Sequence, residues 1–150
     1  MDLFNLRIPF IGKTLLRPKA LIDSNLWIGA LLKTDSTNKQ AYNIIEQVSQ
    51  EFAIFVTDQI IAEVLTVLRL KKHPNLKIVY ERFLNNVYAE RDPSKLDLPA
   101  IQPYFLKFPK LSVVDAFLLY LTWERNYLLV TLDKNLYKAA KALGLKVIGM

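Results

Sequence analysis

Polar and apolar positions alternate along this chain in blocks rather than residue by residue. Short, mostly apolar runs at Lys19-Ala20-Leu21-Ile22, Phe52–Val56, Leu128–Thr131 and Lys146-Val147-Ile148 are bounded by polar residues. That is the pattern of strands buried on both faces. Between them lie stretches with helical character. Asn25–Leu32 reads as a helix, followed by a polar loop over Lys33–Asn38. Lys39–Gln50 carries Ala41, Ile44, Ile45 and Val48 at helical spacing. Thr57-Asp58 looks like a helix start, and that helix runs to about Lys72, ahead of His73-Pro74. Leu76–Asn85 predicts a further helix and Val87-Tyr88-Ala89 a short strand. The four prolines between Pro93 and Pro109 predict short helical pieces and turns. Leu111–Asn126 is a long apolar helix, and Asp133–Leu143 a last one capped by Gly144.

Strands alternating with helices imply an α/β fold: a mostly parallel sheet with helices on both faces. Open sheets of this kind place their sites at the carboxyl ends of strands. The 150 residues suffice for one domain. We place it at 19–150, after a separate lead-in over 1–18 of unassigned role, in which Pro9 and Pro18 disfavour a single helix.

Composition narrows the chemistry. There is no cysteine and a single histidine, His73, which excludes disulfides, iron–sulfur clusters and Cys- or His-rich metal sites. Any metal must be held by oxygen ligands, which points to Mg²⁺ or Mn²⁺. No apolar run has the length of a membrane span, and Ile8-Pro9-Phe10-Ile11 between charged residues makes a poor signal peptide. A cytoplasmic protein is expected. The formal charge of +6 favours an anionic partner. The 52% hydrophobic content suggests a surface covered in a dimer or by another protein.

Four acids stand out against this background. Asp23 follows the first strand, and Asp133 follows the Leu128–Thr131 strand with Leu132 between. Glu63 and Asp115 are lone acids in apolar helical stretches, and the pattern leaves Asp115 no aqueous face. Each has a plain structural alternative. Asp23 and Asp133 suit helix N-caps, and Glu63 suits pairing with a buried Arg or Lys. Asp115 suits a helix start where it accepts backbone N–H groups, although Ser112 is the better cap. Together, two strand-end acids and two acids embedded in helices are what a carboxylate-lined cation site requires, because like charges do not cluster without a cation. Setting the four aside leaves ten acids against twenty Lys and Arg. An acidic pocket on a basic body suits a phosphodiester substrate. Lys71, Lys72, Arg91, Lys107, Lys110 and Lys134 are candidate phosphate contacts, and Tyr42, Tyr104 and Trp123 candidate base-stacking groups. For any one of them, an ordinary solvated or core side chain is the simpler reading.

These residues also carry a resemblance. IDSN at Ile22–Asn25, TDQIIAEVLTVL at Thr57–Leu68, VVDAF at Val113–Phe117 and LLVTLD at Leu128–Asp133 occur in order. The set resembles PIN-domain ribonucleases, and VapC-type toxins of toxin–antitoxin pairs in particular, from about residue 19 onward. The resemblance implies a three-layer fold with sheet order 3-2-1-4-5 and Mg²⁺- or Mn²⁺-dependent cleavage of RNA. It implies Asp23, Glu63, Asp115 and Asp133 as acidic ligands, Asn25 ordering the first acid, and Thr131 as the hydroxyl residue two before the last. A homodimer and an inhibiting antitoxin are implied partners. Three features depart from the pattern: the lead-in, the bulky Phe117-Leu118-Leu119, and the proline-rich 93–109 stretch. The reading is a metal-dependent endoribonuclease. Its competitors are a non-catalytic PIN-fold binding module and a phospho-acceptor domain. The second is disfavoured because Asn25 stands where a dehalogenase-type enzyme has a second Asp.

Overall fold

The structure, a computed structural model, describes residues 17–149; the lead-in, but for its last two residues, lies outside them. Five strands form one sheet: β1 (Lys19–Ile22), β2 (Ala53–Thr57), β3 (Glu90–Asp92), β4 (Leu128–Thr131) and β5 (Val147–Gly149). Their order is β3-β2-β1-β4-β5, as expected, and every neighbouring pair is parallel. The central strand β1 buries Ala20, Leu21 and Ile22 completely, which explains its unbroken apolar run.

Parallel neighbours need crossover connections, and these are right-handed. From β1 the chain steps to β2 and β3 in one direction, through α1 (Ser24–Leu31) with α2 (Asn38–Glu51), then α3 (Asp58–Leu70) with α4 (Leu76–Leu84). It then returns past β1 to β4 through α5 (Leu98–Lys107) and α6 (Val113–Glu124), and continues to β5 through α7 (Lys134–Ala142). Opposite stepping directions with one handedness put α1–α4 on one face and α5–α7 on the other. The order reverses between β1 and β4.

On the first face, Trp27, Phe83 and Tyr88 form a buried aromatic cluster, with Trp27–Phe83 and Phe83–Tyr88 centroids 5.2 and 5.1 Å apart in edge-to-face geometry. The tight α1–α2 contact requires Gly29, where a Cβ would stand 2.6 Å from the Thr37 hydroxyl. Gly144 closes the last turn at φ +70°, the left-handed geometry its capping role demands.

Two expectations are corrected. The third strand is Glu90–Asp92, not Val87–Ala89. Tyr88 and Ala89 are buried by the aromatic cluster, whereas the paired residues are charged. Their pairing is a backbone property of an edge strand, which hydrophobicity does not report. The 93–109 stretch is not a series of pieces but holds a single helix, α5. Asp97 caps it by accepting from Ala100 N–H, and Pro99 sits in the first turn, where no N–H is needed. Pro103, inside the helix, forgoes one bond, to the carbonyl of Pro99.

A polar latch fixes the segment leading into α5. Buried Asp92 accepts from the Ser94 N–H at 2.7 Å and from the Tyr127 hydroxyl. Burial disfavours the Asp92 carboxylate, but the bonds from Ser94 and Tyr127 outweigh it and hold the group below the ordinary carboxylate range. Burial, together with the Asp92 bond, pushes the Tyr127 phenol far up. Tyr127→Phe should therefore cost about 1–3 kcal/mol, because a buried carboxylate loses a donor. Urea unfolding should show a lower midpoint at unchanged slope; an unchanged midpoint would mean water replaces the hydroxyl.

Candidate acidic active site

The reversal of strand order opens a crevice between the carboxyl ends of β1 and β4. Ile22 pairs with Val130, and Asp23 N–H donates to the Val130 carbonyl at 3.0 Å. The chain then turns into α1 on one side and α7 on the other, so Asp23 and Asp133 flank the crevice.

Asp23 is 6% exposed. Its Oδ1 accepts from Ser24 N–H at 2.7 Å, and its Oδ2 accepts from the Thr131 hydroxyl at 2.8 Å. Thr131 Oγ1 in turn accepts from Asp133 N–H at 3.0 Å. One buried hydroxyl therefore ties the two strand-end acids together. Asn25 does not order Asp23 as expected: its Oδ1 accepts from Leu132 N–H at 3.4 Å, bracing the β4–α7 turn, and Thr131 makes the bond to Asp23 instead.

Asp133 is the N-cap of α7, accepting from Asn135 and Leu136 N–H groups at 2.8 and 3.2 Å. Asp115 is likewise a capping residue. It stands at the third position of α6 in a reciprocal box: Ser112 N–H donates to Asp115 Oδ2 at 3.2 Å, and Asp115 N–H donates to the Ser112 hydroxyl at 3.1 Å. The expectation that Asp115 lacks an aqueous face is corrected. The apolar run from Ala116 to Leu119 is buried, but Asp115 precedes it in the first turn and stays partly exposed. Glu63 is also corrected. α3 buries Ile60, Val64 and Leu68, and Glu63 lies off that stripe, exposed.

Electrostatics join what sequence separates. Burial pushes the Asp23 carboxyl up to about 6; the bonds from Thr131 and Ser24 oppose this, and the charges of Asp115 and Glu63 add to it. Asp115 is raised by burial against its two bonds from Ser112, and further by Asp133. The charges of the other acids thus reach Asp23 and Asp115. Among the described residues, no three acidic or histidine side chains converge into a finished coordination shell. The donor set nevertheless suits a hard divalent cation: all ligating atoms are oxygens, each Asp23 oxygen retains lone-pair capacity, and a cation would relieve the ionisation penalty.

The cations divide by place. Lys134 begins α7 beside Asp133, Lys110 lies two residues before Ser112, and Lys107 ends α5 with its Nζ 5.7 Å from the Phe108 ring centroid. Arg91 is paired with Asp58 at 3.0 Å. Lys71 and Lys72 follow the far end of α3, about 12 Å further along that helix axis than Glu63 at the 1.5 Å rise of an α-helix. Structure does not bring them to the acids. Of the aromatic residues, Tyr42 is buried, Tyr104 packs against Tyr120, and Trp123 is 61% exposed. Sequence reading missed Lys138 and Lys141, which share an exposed α7 face with Lys134; the spacing Lys-x₃-Lys-x₂-Lys carried that signal.

The family model described as PIN domain matches residues 20–142. No curated protein matches the chain. Among solved structures, the chain is similar to the Mycobacterium tuberculosis protein VapC20, described as a Sarcin-Ricin loop cleaving toxin. The TM-score is 0.64 at 11% identity, over 85% of this chain and 96% of that one. It is also similar to PAE2754 from Pyrobaculum aerophilum, with a TM-score of 0.62 at 15% identity, over 88% of this chain and 89% of that one. At these identities the likeness is one of fold.

The raised Asp23 carboxyl has a consequence for the metal-free protein. Folding favours its protonated form, so its contribution to stability is full below the unfolded value near 3.8 and is lost as pH rises to about 6. The loss amounts to about 3 kcal/mol. In EDTA, wild type should fall relative to Asp23→Asn between pH 4 and 6, leaving the variant more stable at neutral pH. Parallel stability curves for the two proteins would show that Asp23 is not strained.

Proposed function

The chain belongs to the PIN-domain family, and we propose on that premise that it is a Mg²⁺- or Mn²⁺-dependent endoribonuclease, the toxin of a toxin–antitoxin pair. The observation that carries the reading is the buried Asp23 carboxylate, ionised at a cost that rises with the charges of Asp115 and Glu63. Such a cluster of like charges at a strand-order reversal makes chemical sense when a cation completes it.

In this reading Asp23, Asp115, Asp133 and Glu63 would hold the ion, which would draw together carboxylates carried by three strand or helix ends and by α3. The bond from the Thr131 hydroxyl holds the Asp23 carboxylate in place. When bound, the cation supplies Lewis acidity that activates water for attack on phosphorus and stabilises the leaving oxygen. A carboxylate of the set takes the proton of the attacking water. Lys134, Lys110 and Lys107 would hold flanking phosphates. VapC20's description as a toxin that cleaves the Sarcin-Ricin loop supports RNA as the substrate class.

The same reading brings two protein partners and a cytoplasmic setting. Ile61, Leu65, Tyr80 and Leu84 line an apolar groove of about 250 Å³ between α3 and α4, which suits an antitoxin segment. Leu98, Phe105, Leu106 and Trp123 are exposed apolar residues on α5 and α6, which suit a second copy of the chain. The unfinished shell and the exposed Glu63 favour the competing reading, a non-catalytic PIN-fold binding module.

Calorimetric titration with Mn²⁺ separates the two. Wild type should bind, and Asp23→Asn or Asp115→Asn should weaken binding at least tenfold; Asn keeps the single acceptor that Asp115 uses for Ser112 N–H and one of the two that Asp23 uses. Thr131→Val, which removes the group orienting Asp23, should lower metal affinity or RNA cleavage about 10–100-fold. Absence of Mn²⁺ binding to wild type, both with and without RNA, would leave the binding module.

A further inference from the structure

We propose that the solvent face of α7 is a phosphate track, along which an RNA strand runs away from the acidic crevice over Lys134, Lys138 and Lys141. The proposal rests on the nuclease reading for its direction, since Asp133 is both a crevice acid and the α7 N-cap. Lys134, Lys138 and Lys141 stand at i, i+4 and i+7, within one narrow arc of the helix. Leu136, Ala139 and Ala140 are buried on the opposite side, so the lysine arc faces water squarely. The row is about 10 Å long at the helical rise of 1.5 Å per residue and begins next to Asp133.

Two observations separate this face from an ordinary solvated helix surface. A surface helix commonly interleaves both signs of charge, and α7 contains no acid at all. Residues 125–150 hold Arg125, Lys134, Lys138, Lys141 and Lys146 against Asp133 alone. Arg91 pairs with Asp58 on the opposite flank of the sheet, and among the described residues none of the three lysines has a carboxylate in ion-pair reach. Lys141 instead lies 5.7 Å from the Tyr137 ring centroid. These cations remain uncompensated beside the one place where a phosphodiester must arrive. Contacts of this kind hold a strand in register without reading its sequence.

A short mixed-sequence single-stranded RNA, followed by fluorescence anisotropy over a range of salt, tests the track. The protein carries Asp23→Asn so that the RNA is not cut. In that background Lys134→Gln/Lys138→Gln/Lys141→Gln should weaken binding at least tenfold. It should also flatten the dependence of log Kd on log salt by about 2, from three phosphates at roughly 0.7 each. The control Lys71→Gln/Lys72→Gln/Lys77→Gln, at the far end of α3 and the start of α4, should bind as its parent does. The track is overturned if the α7 variant binds like its parent, if the control loses as much, or if the parent binds phosphatidylserine vesicles but not RNA. Failure of the nuclease reading looks different: α7-dependent RNA binding would persist in an otherwise wild-type protein that neither binds Mn²⁺ nor cleaves.

Discussion

The pairing of β1 with β4 is the constraint from which the candidate site follows. These strands are neighbours in the sheet but are separated along the chain by two other strands and six helices. Their connections leave in opposite directions, so none of the described helices bridges the gap between their carboxyl ends. The Thr131 hydroxyl closes that gap, donating to the Asp23 carboxylate and accepting from the Asp133 amide. A buried acid, a second strand-end acid and the starts of two helices are thereby held in one place. Loss of register between the strands by a single residue would turn Thr131 to the opposite face and remove the link.

The acids in this crevice have two roles, and the roles are compatible. Asp133 and Asp115 satisfy free N–H groups at the starts of α7 and α6, as ordinary caps do. Capping holds a carboxylate at a helix N-terminus, where the local dipole favours negative charge. That lets acids stand near one another at lower cost than in open apolar surroundings. A structural explanation for each acid is thus no evidence against a shared chemical role. The cap positions the carboxylate and leaves it further lone pairs.

Charge is distributed in the same spirit. On the α3–α4 flank, Asp58, Glu63 and Glu81 are interleaved with basic residues, and Arg91 is neutralised by Asp58. On the β4–α7–β5 flank, the positive groups are uncompensated. The net charge of +6 is therefore a poor summary of the molecule. An acidic crevice opens toward a basic flank, and the field along that flank has one sign.

Much of the architecture was legible because burial on both faces and helical periodicity leave strong marks. β1, β2, β4 and most helices stand where the apolar blocks place them. The charged edge strand β3 and the proline-bearing helix α5 left no such mark. A backbone ladder at an edge needs no apolar side chain, and α5 is stabilised by Asp97 and by proline at its start. The four acids were legible as a set through their positions after strands and within helices. Their surroundings were not. Asp115 is in a first turn rather than an apolar wall, Glu63 is exposed, and Asn25 braces Leu132 rather than Asp23. By itself the sequence determined the element order, the absence of thiol chemistry and an all-oxygen set of candidate ligands, because these follow from composition and local period. Only the tertiary structure decided which acids feel one another and which cations share their side of the sheet. Those depend on strand order and on the direction each helix takes from its strand, which are long-range properties that no local window of sequence contains.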